Sequence, residues 1–171
     1  MGNPVNIQER IASIHDVVLF LLGGTLQQVP FLELKGERTM ATISTGAVNH
    51  ITLTVTNLDR SREFYTSILG FQFLMEYGPK HLFSNGSVIL ALNLSPDPAR
   101  AIAEDKFDEN RVGLDHVSFN VSSREVLEEA LRIFDECNVP HGEIKDLADL
   151  GMYVLAFRDP DNIQLEMTAP H

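Results

Sequence analysis

Three residues of this 171-residue chain carry side chains suited to a metal centre: His50, His116 and Glu166. Each lies in a short stretch rich in apolar and β-branched residues, as is typical of a β-strand. Two imidazoles and one carboxylate can bind a divalent ion and still leave coordination positions open for a substrate. The sequence therefore predicts a metal site built from these three side chains.

The two histidines are predicted to lie on polar faces of their strands. After His50, apolar residues occupy every second position and threonines fill the positions between them. The stretch that begins at His116 alternates in the same way, with Ser118 and Asn120 on the side of the histidine. Because alternate side chains of a strand point to opposite faces, both histidines should face a polar cleft. Asn120 is then a candidate for contact with the substrate.

The chain contains an internal repeat, which aligns His-Ile-Thr-Leu-Thr-Val from His50 with His-Val-Ser-Phe-Asn-Val from His116. A helix with one apolar stripe follows each copy. The first helix is predicted to begin at Asn57 or Asp59, both good N-caps, and to end at Gly70. The second is predicted to begin at Ser122, with Glu125 completing a capping box.

Three strand-like stretches follow each helix. In the first copy they are residues 71–77, 80–84 and 87–94, and in the second they are residues 141–144, 153–158 and 163–168. Asn85-Gly86 between two apolar runs is a strong hairpin signal. Each copy therefore predicts a βαβββ module, and the chain as a whole predicts an α+β fold.

The pattern divides the chain into four parts. Residues 46–97 form the first module, residues 98–113 a charged and proline-containing linker, and residues 114–171 the second module. Residues 1–45 lie outside the repeat and are predicted to contain a short amphipathic helix, because apolar residues recur there at helical spacing. That helix should dock on the main body or on a second subunit.

Composition limits the possible partners. The formal net charge is −11, which argues against binding to nucleic acid or to an anionic membrane. Cys137 is the single cysteine and cannot form an intramolecular disulfide, so a reducing cytoplasmic location is expected. No apolar run approaches the roughly 20 residues that a membrane helix needs.

In combination, these motifs resemble the vicinal oxygen chelate superfamily, which includes glyoxalase I, fosfomycin-resistance enzymes, extradiol dioxygenases and metal-free bleomycin-resistance proteins. The resemblance covers residues 48–169 and includes Leu-Asp-His-Val-Ser-Phe-Asn-Val and Arg-Asp-Pro-Asp-Asn-Ile-Gln-Leu-Glu. It implies two curled half-barrels around a U-shaped cleft. It also implies that His50, His116 and Glu166 match the family's metal ligands, and that the protein is a homodimer. The cleft can form within one chain or by exchange of halves between two chains.

The sequence departs from the family pattern at two positions. Aligning Gly86 with Asn162 sets Leu90, which cannot bind a metal, opposite Glu166. Glyoxalase I and methylmalonyl-CoA epimerase have a glutamate or a glutamine there, so their chemistry is disfavoured. Ala156 occupies the position where extradiol and fosfomycin-modifying enzymes carry a tyrosine.

Four further residues complete the predicted site, each with a simpler alternative. Besides binding metal, Glu166 is a candidate catalytic residue, as are His141 and Tyr153. Tyr77 and Arg158 are candidates for substrate binding, although a packing role for the tyrosine and a surface ion pair for the arginine are the commoner outcomes.

The leading hypothesis is a metal-dependent enzyme that binds two adjacent oxygens of a small molecule. Lyase or isomerase-like chemistry and ring-cleaving dioxygenase chemistry both remain open, as does the choice among iron, manganese, nickel, cobalt and zinc. The alternative is a protein that binds a drug or metabolite without catalysis, as bleomycin-resistance proteins do. A regulatory domain with a fossil site is a third possibility.

Overall fold

The computed structural model describes residues 43–171, so the amphipathic helix predicted near the N-terminus lies outside the described residues. Two βαβββ modules follow one another along the chain, as predicted. The first contains β1 His50–Thr54, α1 Leu58–Glu63, β2 Gln72–Tyr77, β3 Lys80–Ser84 and β4 Ile89–Asn93. The second contains β5 Val117–Asn120, α2 Arg124–Cys137, β6 Lys145–Leu147, β7 Met152–Arg158 and β8 Gln164–Pro170.

Each module folds into a four-stranded mixed sheet of the same topology. The strand orders are β1-β4-β3-β2 and β5-β8-β7-β6. The first strand of each module pairs in parallel with the last, and the remaining pairs are antiparallel. This arrangement confirms the predicted α+β fold with tandem modules, and it places β5 directly beside β8.

Burial follows the predicted alternation. Leu53 and Val55 are buried, whereas His50, Thr52 and Thr54 are exposed. One core serves both modules, since the rings of Phe71 and Phe119 meet with their centroids 5.7 Å apart. The apolar faces of both sheets therefore pack inwards and leave the histidine-bearing faces outside.

Two helix starts were predicted, and the structure agrees with one of them. Asn57 caps α1 by accepting a hydrogen bond from the Arg60 backbone N–H at 3.0 Å. The cap of α2 is Ser123 rather than Ser122, and its side chain makes no capping hydrogen bond. The predicted capping box is therefore wrong, because Glu125 lies only two residues after the true cap.

One predicted strand is also misplaced. Residues 141–144 form only an isolated bridge, between His141 and Phe157, and the strand that follows α2 is β6 at Lys145–Leu147. The register with β7 shifts by one residue between the His141–Phe157 bridge and the Lys145–Val154 pair, so regular pairing begins only at Lys145.

A buried carboxylate turn joins the second module to the first. Asp161 accepts hydrogen bonds from the Thr56 backbone N–H at 3.1 Å, from the Thr56 hydroxyl and from the Arg60 guanidinium at 2.8 Å. Asp159 accepts one from the buried Tyr65 hydroxyl at 3.1 Å. Burial is the main cause that raises the pKa of both Tyr65 and Asp159. The turn thus fixes the start of β8, which carries Glu166.

Candidate metal and substrate site

His116 and Glu166 come together on the exposed face of the second sheet. His116 immediately precedes β5, and Glu166 lies on β8 opposite Ser118. The Nε2 atom of His116 is 3.3 Å from the Oε2 atom of Glu166. Parallel pairing of the first and last strands thus brings together two residues that are distant in the sequence.

The other ring nitrogen of each histidine has a partner from the preceding residue. The Nδ1 atom of His116 lies 2.6 Å from Asp115 Oδ1, and the Nδ1 atom of His50 lies 2.9 Å from Asn49 Oδ1. With Nδ1–H donating to an oxygen, Nε2 is the unprotonated nitrogen that can bind a metal. An imidazole held by a carboxylate in this way is a recurrent arrangement around metal ligands.

The separation of His116 and Glu166 fits two ligands of one ion. A nitrogen and a carboxylate oxygen that each lie about 2.1 Å from the same ion, at tetrahedral or octahedral angles, are roughly 3.0 to 3.5 Å apart. The observed 3.3 Å falls within this range. Both donors also suit a divalent transition metal chemically.

His50 lies on the other module, on the exposed side of β1. Within residues 43–171 of one chain, no group of three or more His, Cys, Asp or Glu side chains is placed to hold a metal ion. A single chain therefore brings together two of the three predicted ligands, and the third lies elsewhere.

The position equivalent to Glu166 in the first module is Ala91 rather than Leu90. Thr52 pairs with Ala91 in β4, just as Ser118 pairs with Glu166 in β8. The sequence alignment was one residue out, because the turn before β8 is one residue longer than the turn before β4. The chemical conclusion stands, since alanine cannot bind a metal either.

His116 and Glu166 line one end of a groove of about 540 Å³ on the second sheet. Polar side chains from β5 and β8 form the near part of its floor: Ser118, Asn120 and Thr168. The hydroxyls of Ser118 and Thr168 are 2.6 Å apart and share a hydrogen bond. Asn120 therefore lies on the groove, where the sequence analysis expected a substrate contact.

The two other catalytic candidates lie on the opposite side of this sheet. His141 approaches α2, with its Nε2 atom 3.2 Å from Asp135 Oδ1. The ring of Tyr153 stacks on His171 at 4.7 Å, and the Arg124 guanidinium lies 5.1 Å from its centroid. Neither side chain lines the groove.

The two remaining substrate-binding candidates, Tyr77 and Arg158, do not line the groove either. Tyr77 lies at the exposed end of β2, in the strand register of Lys80. The guanidinium of Arg158 donates to both carboxylate oxygens of Glu109, at 2.7 and 3.0 Å. Hydrogen bonding from Arg158 is the main cause that lowers the pKa of Glu109 to about 2. In this structure Arg158 thus fastens the linker to the second module.

Sequence analysis missed the far part of the groove, where β6 and β7 contribute Lys145, Leu147, Met152 and Val154. Two of these residues could have been found from the sequence, because the period-two alternation along β7 places Val154 and Met152 on the same face. Lys145 could not be found because β6 was assigned to residues 141–144.

Comparison with known proteins agrees with this architecture. The profile of the Glyoxalase/Bleomycin resistance protein/Dioxygenase superfamily matches residues 47–167. Metallothiol transferase FosB of Staphylococcus epidermidis is 30% identical over 121 residues, which cover 70% of this chain and 81% of that protein. The uncharacterized protein YwkD of Bacillus subtilis is 29% identical over 128 residues, which cover 71% of this chain and 94% of YwkD.

Solved structures show the same fold. A glyoxylase/bleomycin resistance protein/dioxygenase domain from Frankia superposes with a TM-score of 0.63 at 30% identity, covering 75% of this chain and all of that domain. The fosfomycin resistance protein FosX of Listeria monocytogenes superposes with a TM-score of 0.58 at 18% identity, covering 75% of this chain and 96% of FosX. The chain belongs to the glyoxalase/bleomycin resistance protein/dioxygenase superfamily. No helix among residues 43–171 is long and apolar enough to cross a membrane.

Proposed function

We propose that the protein is a metal-dependent enzyme that binds a small molecule through two adjacent oxygens. One observation carries the proposal: His116 Nε2 and Glu166 Oε2 lie 3.3 Å apart on an open groove, while Asp115 holds the other nitrogen of the imidazole. The likeness to the metallothiol transferases supports it, because their name indicates metal-dependent transfer to or from a thiol.

In this proposal, His50 of a second copy completes the ligand set. The exposed face of β1 carries His50 and two threonines, and in a homodimer it would cover the groove of the other copy. An interface between identical subunits can place a side chain of each subunit in one shared site. The three ligands then leave positions open for substrate oxygens.

A bound divalent ion would supply Lewis-acid chemistry that stabilises negative charge on those oxygens. The side chains of this chain have other roles. His116 and Glu166 hold the ion, Asp115 fixes the tautomer of the imidazole, and the Ser118 and Asn120 side chains orient the substrate by hydrogen bonds. Lyase or isomerase-like, transfer and dioxygenase reactions remain candidates, with iron, manganese, nickel, cobalt or zinc as the metal.

The first test is metal content after purification without chelator. We expect close to one divalent ion per wild-type chain, and at least about tenfold weaker metal binding in His116→Ala and Glu166→Gln. His141→Ala is the matched control, because it removes a histidine from the opposite side of the same sheet. A His116→Ala protein with wild-type metal content would refute the proposal.

The second candidate function is binding without catalysis. Ala91 and Ala156 favour it, since both stand where catalytic relatives carry functional side chains, and Ala156 directly neighbours Glu166 in the strand register. Incubation of the metal-loaded protein with catechols, dicarbonyl–thiol adducts, and epoxides with a thiol separates the two functions. Turnover that is lost in His116→Ala supports the enzyme, whereas binding with recovery of unchanged ligand supports the binder.

A further inference from the structure

The groove on the second sheet extends beyond the polar cluster, and its far part differs in chemistry. Val154 and Met152 of β7 and Leu147 of β6 form an apolar floor. Lys145 of β6 stands beside Val154, with which it pairs directly. Across the sheet from the carboxylate–imidazole pair, a molecule in the groove therefore meets hydroxyls, then Val154 and then the Lys145 ammonium group, with Met152 and Leu147 extending the apolar floor to one side.

The strand register fixes how far Lys145 lies from Glu166. Lys145 pairs with Val154, and Val154 pairs with Thr168, which is two residues beyond Glu166 on β8. With strands about 4.8 Å apart and a rise of about 3.3 Å per residue, the Cα atoms of Glu166 and Lys145 are separated by roughly 12 Å. The flexible lysine side chain can reach back across part of this distance.

The charges along the groove also differ from one end to the other. Among the described residues that line it, Glu166 is the one carboxylate and Lys145 is the one lysine or arginine. Lys145 takes part in none of the ion pairs found among residues 43–171. Lys80 and Lys106 also take part in no ion pair among residues 43–171, so what distinguishes Lys145 from these two lysines is its position on the groove.

We infer that Lys145 is a specificity-determining residue that binds an anionic group at the far end of the substrate. The substrate class is then a molecule with two adjacent oxygens at one end, an apolar middle segment and a carboxylate or similar anion at the other. This inference rests on the proposed function, because the oxygens must be held near His116 and Glu166.

A structural explanation competes with this inference. β6 is an edge strand, and a lysine on an edge strand can have the sole role of preventing that strand from pairing with another sheet. In that case Lys145 would contribute nothing to the choice of ligand, and the two explanations predict different binding results.

The test compares two hydroxamates that chelate a metal through two adjacent oxygens and differ only at the far end. Octanohydroxamate ends in a methyl group, and suberic acid monohydroxamate ends in a carboxylate. Calorimetric titration of the metal-loaded protein should show about three- to tenfold tighter binding of the carboxylate probe, decreasing with salt. Lys145→Met should abolish this preference and leave the affinity for octanohydroxamate unchanged.

Lys106→Met is the control, because it removes the same charge from an exposed position of the linker and should keep the preference. Two outcomes overturn the inference and leave the proposed function intact: equal affinity of the wild-type protein for the two probes, or a preference for the carboxylate probe that survives Lys145→Met. If neither the metal nor octanohydroxamate binds, the proposed function fails and the inference falls with it.

Discussion

The buried turn at Asp159 allows a sharp prediction about stability. Asp159 is 4% exposed and accepts three hydrogen bonds: from the Tyr65 hydroxyl at 3.1 Å and from the backbone N–H groups of Asp161 and Ile163 at 2.8 Å each. Asp159→Ala leaves these three buried donors without an acceptor. Each such donor costs about 1 to 3 kcal/mol, but removal of a buried carboxylate returns part of its desolvation cost. We expect a net loss of about 3 to 5 kcal/mol in the free energy of unfolding.

Asp159→Asn separates the role of the hydrogen bonds from that of the charge. The amide oxygen can still accept both backbone N–H groups, and the amide nitrogen can donate to the Tyr65 hydroxyl oxygen. The loss should therefore stay within about 1 kcal/mol. Urea unfolding at one fixed protein concentration measures both variants, with Asp149→Ala as the control because Asp149 is exposed. Equal losses for Asp159→Ala and Asp149→Ala would refute this account of the turn.

Four further predictions concern pH, backbone conformation and the support of the imidazole. The pKa of Asp159 is raised in the folded state, so the wild-type protein loses stability as pH rises from near 3.8 through that folded pKa. The stability of Asp159→Asn relative to wild type should therefore increase over this pH range and then level off. Glu109 has the opposite sign: its pKa falls from 4.5 to about 2, so the stabilisation that Glu109→Gln removes should be present above pH 4.5 and disappear as pH falls towards 2, as acid titrations monitored by circular dichroism will show. Gly86 has φ +87 in the turn before β4, so Gly86→Ala should cost about 1 kcal/mol in thermal unfolding, and an unchanged midpoint would contradict the assignment of strain to this position. Asp115→Asn should weaken metal binding by about tenfold while the fold stays intact, and metal titration with and without this change checks it.

The sequence was sufficient for the tandem modules because alternation and turn chemistry are local signals. His50 with its threonines, the Asn85-Gly86 turn and the Asn57 cap each depend on residues close together in the chain. The resemblance to the superfamily also implied that His116 and Glu166 belong to one site, and the parallel pairing of β5 with β8 brings them together.

Other features depend on contacts that a local pattern does not contain. The start of β6 is decided by which residues of the 140–147 segment pair with β7, so Lys145 was not recognised as part of the groove. The equivalence of Ala91 and Glu166 depends on a difference of one residue in turn length. The ion pair of Arg158 with Glu109 joins residues 49 positions apart, and no motif marks it.

The central claim is that His50 of one copy and the His116–Glu166 pair of another bind a single ion. The most direct measurement is the metal content of a purified heterodimer in which one differently tagged chain carries His50→Ala and the other His116→Ala. Both homodimers should lack metal, whereas the heterodimer should regain one intact site and bind about half the wild-type amount. A heterodimer as empty of metal as the two homodimers, alongside a fully loaded wild-type protein, would contradict a site shared between subunits.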